Sequence, residues 1–298
     1  MNLTGLHLLL TYQCTYQCDH CFVWGSPSQT GVMTLAQVRD VCRQARELGT
    51  VTRIYLEGGE PLLYYPLALR AAREAAALGL QVGIVTNVYW ATTVEDAVEW
   101  LQPLAGIVQD LTISTDLFHY SEVVSAQARN ALAAAERLAI PCGSIICAPP
   151  EGAPGYPPQP AGEPVEGGAI MFRGRAAVKL VEGVARRPWR EFTACPHETL
   201  ADPRRVHVDC YGNLHLCQGL VMGNLFERPL VEVVAAYDPQ THPVVAPLLA
   251  GGPAVLVERY GLPHDETYVD ACHLCYTARA ALRDRWPGIL GPAQMYGG

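Results

Sequence analysis

The chain has 298 residues, half of them apolar, and its 21 basic and 29 acidic side chains give a net charge of −8. This length suits one large α/β domain, or one domain with a smaller appendage. The few, scattered basic residues exclude a broad nucleic-acid surface. Residues 1–10 lack the basic region of a signal peptide, and no apolar run reaches the roughly 18 residues of a membrane span. We therefore expect a cytoplasmic protein that binds neither nucleic acid nor a membrane.

Strands and helices alternate along the first half of the chain. The predicted strands are 6–10, 53–57, 81–86, 111–114 and 141–147, and the predicted helices are 35–48, 66–78, 93–101 and 121–138. This order, with short loops, predicts an α/β fold whose parallel sheet curls into a partial (β/α)6 barrel of the TIM type. A sixth strand is expected near residues 169–172, after a Pro- and Gly-rich linker or loop at 148–168.

A second, smaller unit is predicted after the barrel. Residues 206–210 and 214–217 form a β-hairpin around a Gly-Asn turn, because both residue types tolerate positive φ. Helices are expected at 229–237, 253–260 and 276–285. The predicted domains are therefore a barrel at 1–183 and a small hairpin and helix domain at 184–298.

The eleven cysteines are concentrated near the two ends of the chain. An odd number without an export signal favours a reduced compartment and metal ligation over disulfides. Cys14, Cys18 and Cys21 are spaced C-x3-C-x2-C, so three thiolates can hold three irons of a cubane cluster and leave the fourth iron open. The alternatives are a structural metal knuckle completed by His20, or three unrelated core cysteines. The cysteines that stand apart are expected in the core: Cys42, Cys142 and Cys147.

Polar and glycine-rich motifs follow the ends of the predicted strands, the edge where ligands gather in parallel α/β folds. They are the cysteine loop, Gly58-Gly59-Glu60-Pro61, Thr86-Asn87 and Ser114-x-Asp116. Each of the last three could be an ordinary turn or cap. Their convergence on one edge predicts a single site.

In this order the motifs resemble those of the radical SAM superfamily, over about residues 1–175 and less firmly beyond. The resemblance implies that Cys14, Cys18 and Cys21 hold a [4Fe-4S] cluster whose open iron binds S-adenosylmethionine. It also implies cofactor contacts from the other strand-end motifs and from a glycine–arginine motif: Gly58, Gly59, Glu60, Pro61, Thr86, Asn87, Ser114, Asp116 and Arg175. The fifth strand departs from the family pattern, because residues 145–149 lack the glycines that often border the adenine.

The rear cysteines resemble the auxiliary-cluster unit of such enzymes, called a twitch domain. The resemblance implies a second [4Fe-4S] cluster ligated by Cys195, Cys217, Cys272 and Cys275, with Cys210 as an alternative ligand. The longer, SPASM-type unit carries more cysteines after the C-x2-C pair, and Cys275 is the last cysteine here. A four-thiolate zinc site of the zinc-ribbon type is the alternative.

The resemblance further implies an oxidoreductase or maturase. An external reductant of the flavodoxin or ferredoxin type would supply one electron, S-adenosylmethionine would be cleaved to a 5′-deoxyadenosyl radical, and that radical would remove a hydrogen atom from substrate. His119 and Tyr120, after the fourth strand, are the candidate catalytic residues for moving a proton or hydrogen atom. Cys142 or Cys147 is the alternative hydrogen donor.

Two substrate classes stay open at this point: a small molecule and a ribosomally made peptide. Because the first cysteine is residue 14, we expect no leader-binding domain before the barrel, which leaves leader recognition to another protein or favours a small substrate. The other functional class is a non-catalytic iron–sulfur electron carrier, which would not need the Gly-Gly-Glu-Pro or Ser-x-Asp motifs.

Overall fold

A computed structural model describes residues 1–152, 155 and 170–298. The strands are β1 (Gly5–Thr11), β2 (Arg53–Gly58), β3 (Gln81–Thr86), β4 (Val108–Ser114), β5 (Cys142–Ile145), β6 (Arg187–Pro188), β7 (Arg205–Val208), β8 (Asn213–Cys217), β9 (Leu220–Asn224) and β10 (Thr267–Tyr268). The α-helices are α1 (Leu35–Leu48), α2 (Tyr65–Ala77), α3 (Val94–Leu101), α4 (Ala126–Arg137), α5 (Ala176–Lys179), α6 (Leu230–Ala236), α7 (Val245–Tyr260) and α8 (Ala271–Ala281).

Eight strands form one sheet in the order β5-β4-β3-β2-β1-β7-β8-β9. The pairs from β5 through β1 to β7 are parallel, while β7-β8 and β8-β9 are antiparallel. The predicted α/β fold with a parallel sheet is confirmed, and so is the rear hairpin, which is β7 and β8. The strands β6 and β10 form a separate two-stranded sheet.

Alternate side chains on the strands face different surroundings, as the pleat requires. On β2, Ile54 and Leu56 are completely buried in the hydrophobic core, whereas Arg53, Tyr55 and Glu57 line a cavity of about 900 Å³. The same alternation on β4 sends Asp110, Thr112 and Ser114 to that cavity. The concave face of the sheet therefore lines a cavity with both polar and apolar side chains that is open to a ligand.

The sixth parallel strand comes from a different place than the sequence predicts. Residues 170–172 form no strand, and Ala169 lies outside the described residues, as does most of the predicted linker. Instead the backbone turns so that Arg173 N–H donates to the Met171 carbonyl (2.7 Å) and Arg175 N–H to the Cys21 carbonyl (2.9 Å). Strand β7 supplies the sixth parallel strand, beside β1.

The helices confirm most predicted positions, with informative differences at their ends. Thr34 and Gln37 form a capping box before α1, and Gly49 ends it in the left-handed conformation. Helix α4 begins later than predicted, capped by Ser125. Helix α8 begins earlier, capped by Asp270, so the Cys272-x2-Cys275 pair lies on its first turn rather than in a preceding loop.

One hydrophobic core contains residues from both predicted domains, including Leu8 and Ile54 of the front part and Val206 and Leu214 of the rear part. The strands β7–β9 also continue the front sheet. The division at residue 183 stays a prediction. No helix in the described part of the chain is both long and apolar enough to cross a membrane.

Candidate active site

The three front cysteines lie in the loop that follows β1. Cys14, Cys18 and Cys21 line one cavity of about 110 Å³, together with Gly58, Gly59, Thr86, Asn87, Ser114 and His119 from the ends of the neighbouring strands. Backbone hydrogen bonds hold the loop, from Cys14 N–H to the Ser26 carbonyl (3.0 Å) and from Cys21 N–H to the Cys18 carbonyl (3.1 Å). The structure thus brings together the strand-end motifs that the sequence predicts to converge.

Hydrogen-bond donors point at the sulfur atoms of this loop. Gly25 N–H lies 3.2 Å from Cys21 Sγ, and Asn87 Nδ2 lies 3.5 Å from Cys14 Sγ. Burial raises the pKa of Cys14 to about 12 and raises the pKa of Cys18 further still. Without a metal these thiols are protonated, so a metal must displace their protons. Three thiols in one cavity, two of them buried, with donors aimed at two of the sulfurs, fit an anionic metal–thiolate group.

His20 is set apart from the thiols as a possible fourth ligand. It lines the same cavity, but its ring nitrogen groups with an oxygen of Asp116 and the sulfur of Cys147, all within 4.8 Å of one another. Burial lowers the pKa of His20 to about 4, so the imidazole is neutral. This placement gives no support to a knuckle of three thiols and His20.

Arg175 stabilises the cysteine loop by hydrogen bonds to its backbone. Its guanidinium donates to the Cys18 carbonyl (2.6 Å) and to the Gly25 carbonyl (2.8 Å), and its side chain is 2% exposed. The preceding Gly174 has φ = +60°, and a Cβ there would lie 2.5 Å from the Phe22 carbonyl oxygen. The glycine–arginine motif therefore contacts the loop backbone, and the structure does not bring Arg175 into the cavity lining described above.

Two glycines bring the end of β2 against the start of the cysteine loop. Gly59 N–H donates to the Thr11 carbonyl (2.7 Å) and Glu60 N–H to the Gln13 carbonyl (2.8 Å). A Cβ on Gly59 would lie 2.1 Å from the Gln13 carbonyl oxygen, far inside van der Waals contact. Only glycine permits this approach, and Gln13 directly precedes the first cysteine.

The carboxylate of Glu60 connects the ends of β2 and β3. One carboxylate oxygen accepts from Leu62 N–H (3.0 Å) and the Thr86 hydroxyl (2.9 Å), and the other accepts from Asn87 N–H (2.8 Å). The side chain is completely buried. Burial raises the pKa of Glu60 to about 7, against the opposing effect of its hydrogen bonds. Pro61 follows as the first residue of a short 3-10 helix, Pro61–Tyr64, that Glu60 caps.

A pH-dependent stability follows from the buried carboxyl of Glu60. Because its pKa is higher in the folded state than the ordinary 4.5, the folded protein binds this proton more tightly, and stability is lost as pH rises through about 7. Between pH 6 and pH 8 the wild type should lose on the order of 1 kcal/mol relative to Glu60→Gln. Denaturant unfolding of both proteins at the two pH values measures this; parallel pH profiles would contradict it.

After β4, Ser114 and Asp116 have different surroundings, although the sequence predicts that both contact the cofactor. Ser114 lines the cavity. Asp116 is 1% exposed, and its oxygens accept from Phe118 N–H (3.0 Å), His119 N–H (3.2 Å) and Cys147 N–H (3.2 Å). Although burial opposes it, the hydrogen bond and charge of His119 hold the pKa of Asp116 below its ordinary value. The Asp116 carboxylate therefore stabilises the loop that follows β4 through these hydrogen bonds.

The two catalytic candidates differ in their surroundings. His119 lines the cavity, and its Nδ1 lies 2.8 Å from an Asp116 carboxylate oxygen. The Tyr120 hydroxyl donates to the Asn87 carbonyl, and its ring meets Tyr16 edge-on with the centroids 5.5 Å apart. His119 is available to a ligand, whereas Tyr120 supports the backbone of the third strand end.

A second cavity lies in the rear part of the chain. It is lined by Cys195, Cys217, Cys272 and Cys275, which arrive from three separate segments. The alternative residue Cys210 lies elsewhere, beside Gly31, where a Cβ would be 2.8 Å from its sulfur. Within the described residues no three of the four cavity sulfurs lie within 4.8 Å of one another. A tetrahedral zinc with 2.3 Å bonds needs sulfurs roughly 3.8 Å apart, whereas Cys272 lies within 4.8 Å of ligand atoms of His197 and Asp270 instead.

Two buried arginines flank this rear cavity. Arg173 donates to Glu198 (2.8 Å) and to Cys217 Sγ (3.3 Å). Arg279 donates to the Gln218 carbonyl (2.7 Å) and lies 3.9 Å from Cys217 Sγ, and its Nε has no hydrogen-bond partner in the described structure. Of the carboxylates described, none forms an ion pair with Arg279. A buried guanidinium without an anion is costly, so this cavity fits an anionic occupant such as a thiolate-ligated cluster.

The sequence prediction missed both of these arginines. A signal for one of them was available, because Arg279 follows Cys275 by four residues and shares its helix face. Arg173 gave no such signal, since its position depends on the turn before Gly174 rather than on any periodic element.

Comparison with known proteins finds a family model that matches the part of the chain that contains the front site. The family model described as "Radical SAM superfamily" matches residues 8–138. The peptide biosynthesis protein YydG of Bacillus subtilis (strain 168), so named, is 27% identical over 124 residues, a stretch that spans 41% of this chain and 39% of YydG. The chain therefore aligns with less than half of the length of that relative.

Two solved structures are similar at low identity. That of anSMEcpe with bound AdoMet is 11% identical and has a TM-score of 0.48, with 97% of this chain and 99% of that chain covered. That of Streptococcus suis SuiB bound to precursor peptide SuiA is 10% identical and has a TM-score of 0.43, with 91% and 76% covered.

Proposed function

We propose that the protein is an enzyme that cleaves S-adenosylmethionine reductively and removes a hydrogen atom from its substrate, since the radical SAM family model matches residues 8–138. The observation that carries this proposal is the single cavity shared by three thiols and by residues of the other strand-end motifs. An electron carrier would need the thiols but not the glycines, Asn87 and Ser114 around them.

Cys14, Cys18 and Cys21 would hold a [4Fe-4S] cluster, and the open iron would bind S-adenosylmethionine. Bound together, these groups supply a 5′-deoxyadenosyl radical when one electron arrives from a flavodoxin- or ferredoxin-type reductant. Asn87 and Gly25 donate toward the thiolate sulfurs, and Arg175 fixes the loop that carries them.

The remaining cofactor contacts divide between direct and supporting residues. Gly58, Gly59, Thr86 and Asn87 line the cavity and would contact the methionyl group of S-adenosylmethionine. Glu60 and Pro61 would hold those strand ends together. We propose that Ser114, rather than Asp116 as the sequence predicts, would contact the ribose. The Asp116 oxygens already accept hydrogen bonds from the protein.

The rear cysteines would hold an auxiliary [4Fe-4S] cluster. Four cysteines lining one cavity and the buried cations Arg173 and Arg279 support this. A thiolate-ligated cluster carries net negative charge, which would compensate the guanidinium of Arg279. Cys210 is the weaker candidate because it lies beside Gly31, away from this cavity.

The substrate would occupy the cavity of about 900 Å³ on the concave face of the sheet. Its size suits a drug-sized molecule or a peptide segment. The name of YydG associates a relative with peptide biosynthesis, so a ribosomally made peptide is our first substrate class and a small molecule our second.

Anaerobic incubation with S-adenosylmethionine and dithionite tests the proposed function. The reconstituted protein should produce 5′-deoxyadenosine and methionine, even slowly and without substrate. A non-catalytic electron carrier would produce neither, and that result would end the proposal.

Cys147 is the hydrogen donor that the cavity favours over Cys142. It lines the substrate cavity near Ser114 and His20, and burial raises its pKa to about 11, so the sulfur keeps its hydrogen. A hydrogen atom would pass from Cys147 Sγ to a substrate carbon radical, and the thiyl radical left behind would be reduced by one electron from the external reductant and one proton from solvent.

Replacing Cys147 by alanine should therefore separate hydrogen removal from the substrate, which remains, from hydrogen donation to the substrate radical, which is lost. During turnover in D₂O the wild type should place solvent deuterium on the product, because a thiol hydrogen exchanges. Cys147→Ala should still form 5′-deoxyadenosine in response to substrate but incorporate no deuterium at that carbon, as mass spectrometry of the product would measure. Cys142→Ala is the matched control. Deuterium incorporation that persists in Cys147→Ala would exclude this role.

A further inference from the structure

Three potential metal ligands lie side by side on the concave face of the sheet, next to the front cysteine site but separate from its thiols. They are His7 on β1, Glu57 on β2 and His207 on β7, and all three line the cavity of about 900 Å³. One ligand atom from each lies within 4.8 Å of the ligand atoms of the other two. No part of the proposed reaction uses this cluster.

The sheet itself fixes this arrangement. His7 is directly paired with His207 across the parallel β1–β7 ladder, and Glu57 is paired with Leu9, two residues further along β1. The ring of Tyr55 stacks on His7 with 4.6 Å between centroids, and the Tyr55 hydroxyl donates to Asp110 (2.6 Å). Ligands on adjacent strands, with one ring held by stacking, are positioned more firmly than ligands on loops.

The carboxylate of Glu57 has room for a further ligand. Its Oε1 lies 2.5 Å from His7 Nδ1 and 3.4 Å from His207 Nε2, while its Oε2 has no hydrogen bond to any described residue.

We propose that His7, Glu57 and His207 form a mononuclear site for a divalent transition-metal ion, Zn²⁺ or Fe²⁺, distinct from both iron–sulfur sites. Two imidazole nitrogens and one carboxylate are a ligand set that leaves positions open for exogenous ligands. Glu57 also lines the smaller cavity beside the three front thiols. Because all three ligands line the cavity in which the substrate would lie under the proposed function, a bound ion would be accessible there to a substrate oxygen from a carbonyl or carboxylate group.

Zinc binding to the holoprotein tests this site separately from catalysis. The protein with its cysteines occupied by iron–sulfur clusters is dialysed anaerobically against Zn²⁺, and bound zinc is counted by mass spectrometry. We expect one zinc per chain. X-ray absorption at the zinc edge should show nitrogen and oxygen neighbours at about 2.0–2.2 Å and no sulfur at about 2.3 Å.

Substitutions of the three proposed ligand residues should weaken zinc binding. His7→Ala and His207→Ala should each weaken zinc binding by at least the roughly 10–100-fold that loss of a supporting partner costs. Glu57→Gln, which preserves size, should weaken it similarly. His264→Ala is the matched control, because His264 is exposed and packs on Trp189. Unchanged iron content and melting temperature in each variant show that the fold is intact.

Three results would overturn the site: no zinc bound beyond the iron–sulfur clusters, zinc with sulfur neighbours, or unchanged affinity in the His7→Ala/His207→Ala double variant. In the first case the three side chains form a hydrogen-bonded group without a metal. None of these results bears on the cleavage of S-adenosylmethionine, so this site and the proposed function fail independently.

Discussion

Replacing Cys14, Cys18 and Cys21 together by alanine is expected to remove about half of the iron and all cleavage of S-adenosylmethionine. Two cubanes contain about eight irons, and the three thiols line only the front cavity. The rear cysteines line another cavity and should retain about four irons. Iron counting after anaerobic reconstitution, with chromatography of 5′-deoxyadenosine, measures both results on one preparation.

The reciprocal variant and a single control make this test specific. Alanine at all four rear positions, Cys195, Cys217, Cys272 and Cys275, should lose the other four irons and retain cleavage. Cys42→Ala should lose neither, because Cys42 is completely buried within α1. A front triple variant with full iron and full cleavage would contradict the assignment of the cofactor site. Zinc at the rear site would appear as four irons in the wild type.

Gly59→Ala is expected to reduce the rate of 5′-deoxyadenosine formation by about 100-fold or more. The new methyl would lie 2.1 Å from the Gln13 carbonyl oxygen, so either the end of β2 or the start of the cysteine loop must move. A displacement of about 1 Å in a reacting pair can cost about 100-fold in rate. All three cysteines are retained, so the iron content should fall much less than the rate.

A graded series of glycine variants controls for general damage to the fold. A Cβ on Gly143 meets no atom within 4 Å, and one on Gly25 meets its nearest neighbour, the Gly59 Cα, at 3.4 Å. Gly143→Ala should leave the rate unchanged and Gly25→Ala should have an intermediate effect, with melting temperatures recorded for each variant. Equal rates across the series would show that close approach of the two loops is unimportant.

Periodicity and turn chemistry predicted the repeating elements well because these depend on local interactions. The capping box at Thr34, the end of α1 at Gly49 and the alternation of β2 are all set within a few residues. The convergence of the strand-end motifs could also be predicted, because it follows from the order of strands and helices. Parallel strands joined by helices must end at one edge, so the cysteine loop had to meet Gly59 and Asn87.

The sequence by itself determined the α/β alternation, the two groups of cysteines and the edge at which the first group lies. Only the tertiary structure decided that β7 joins β1 as the sixth parallel strand, which places His207 beside His7. It also decided that Asp116 and Arg175 turn inward to hold loops, and that Arg173 and Arg279 border the rear thiols. The reason is that these features depend on contacts between distant parts of the chain. Strand pairing across about 200 residues and the charge balance of a buried cavity are set by which segments pack together, and a local sequence pattern carries no information about that.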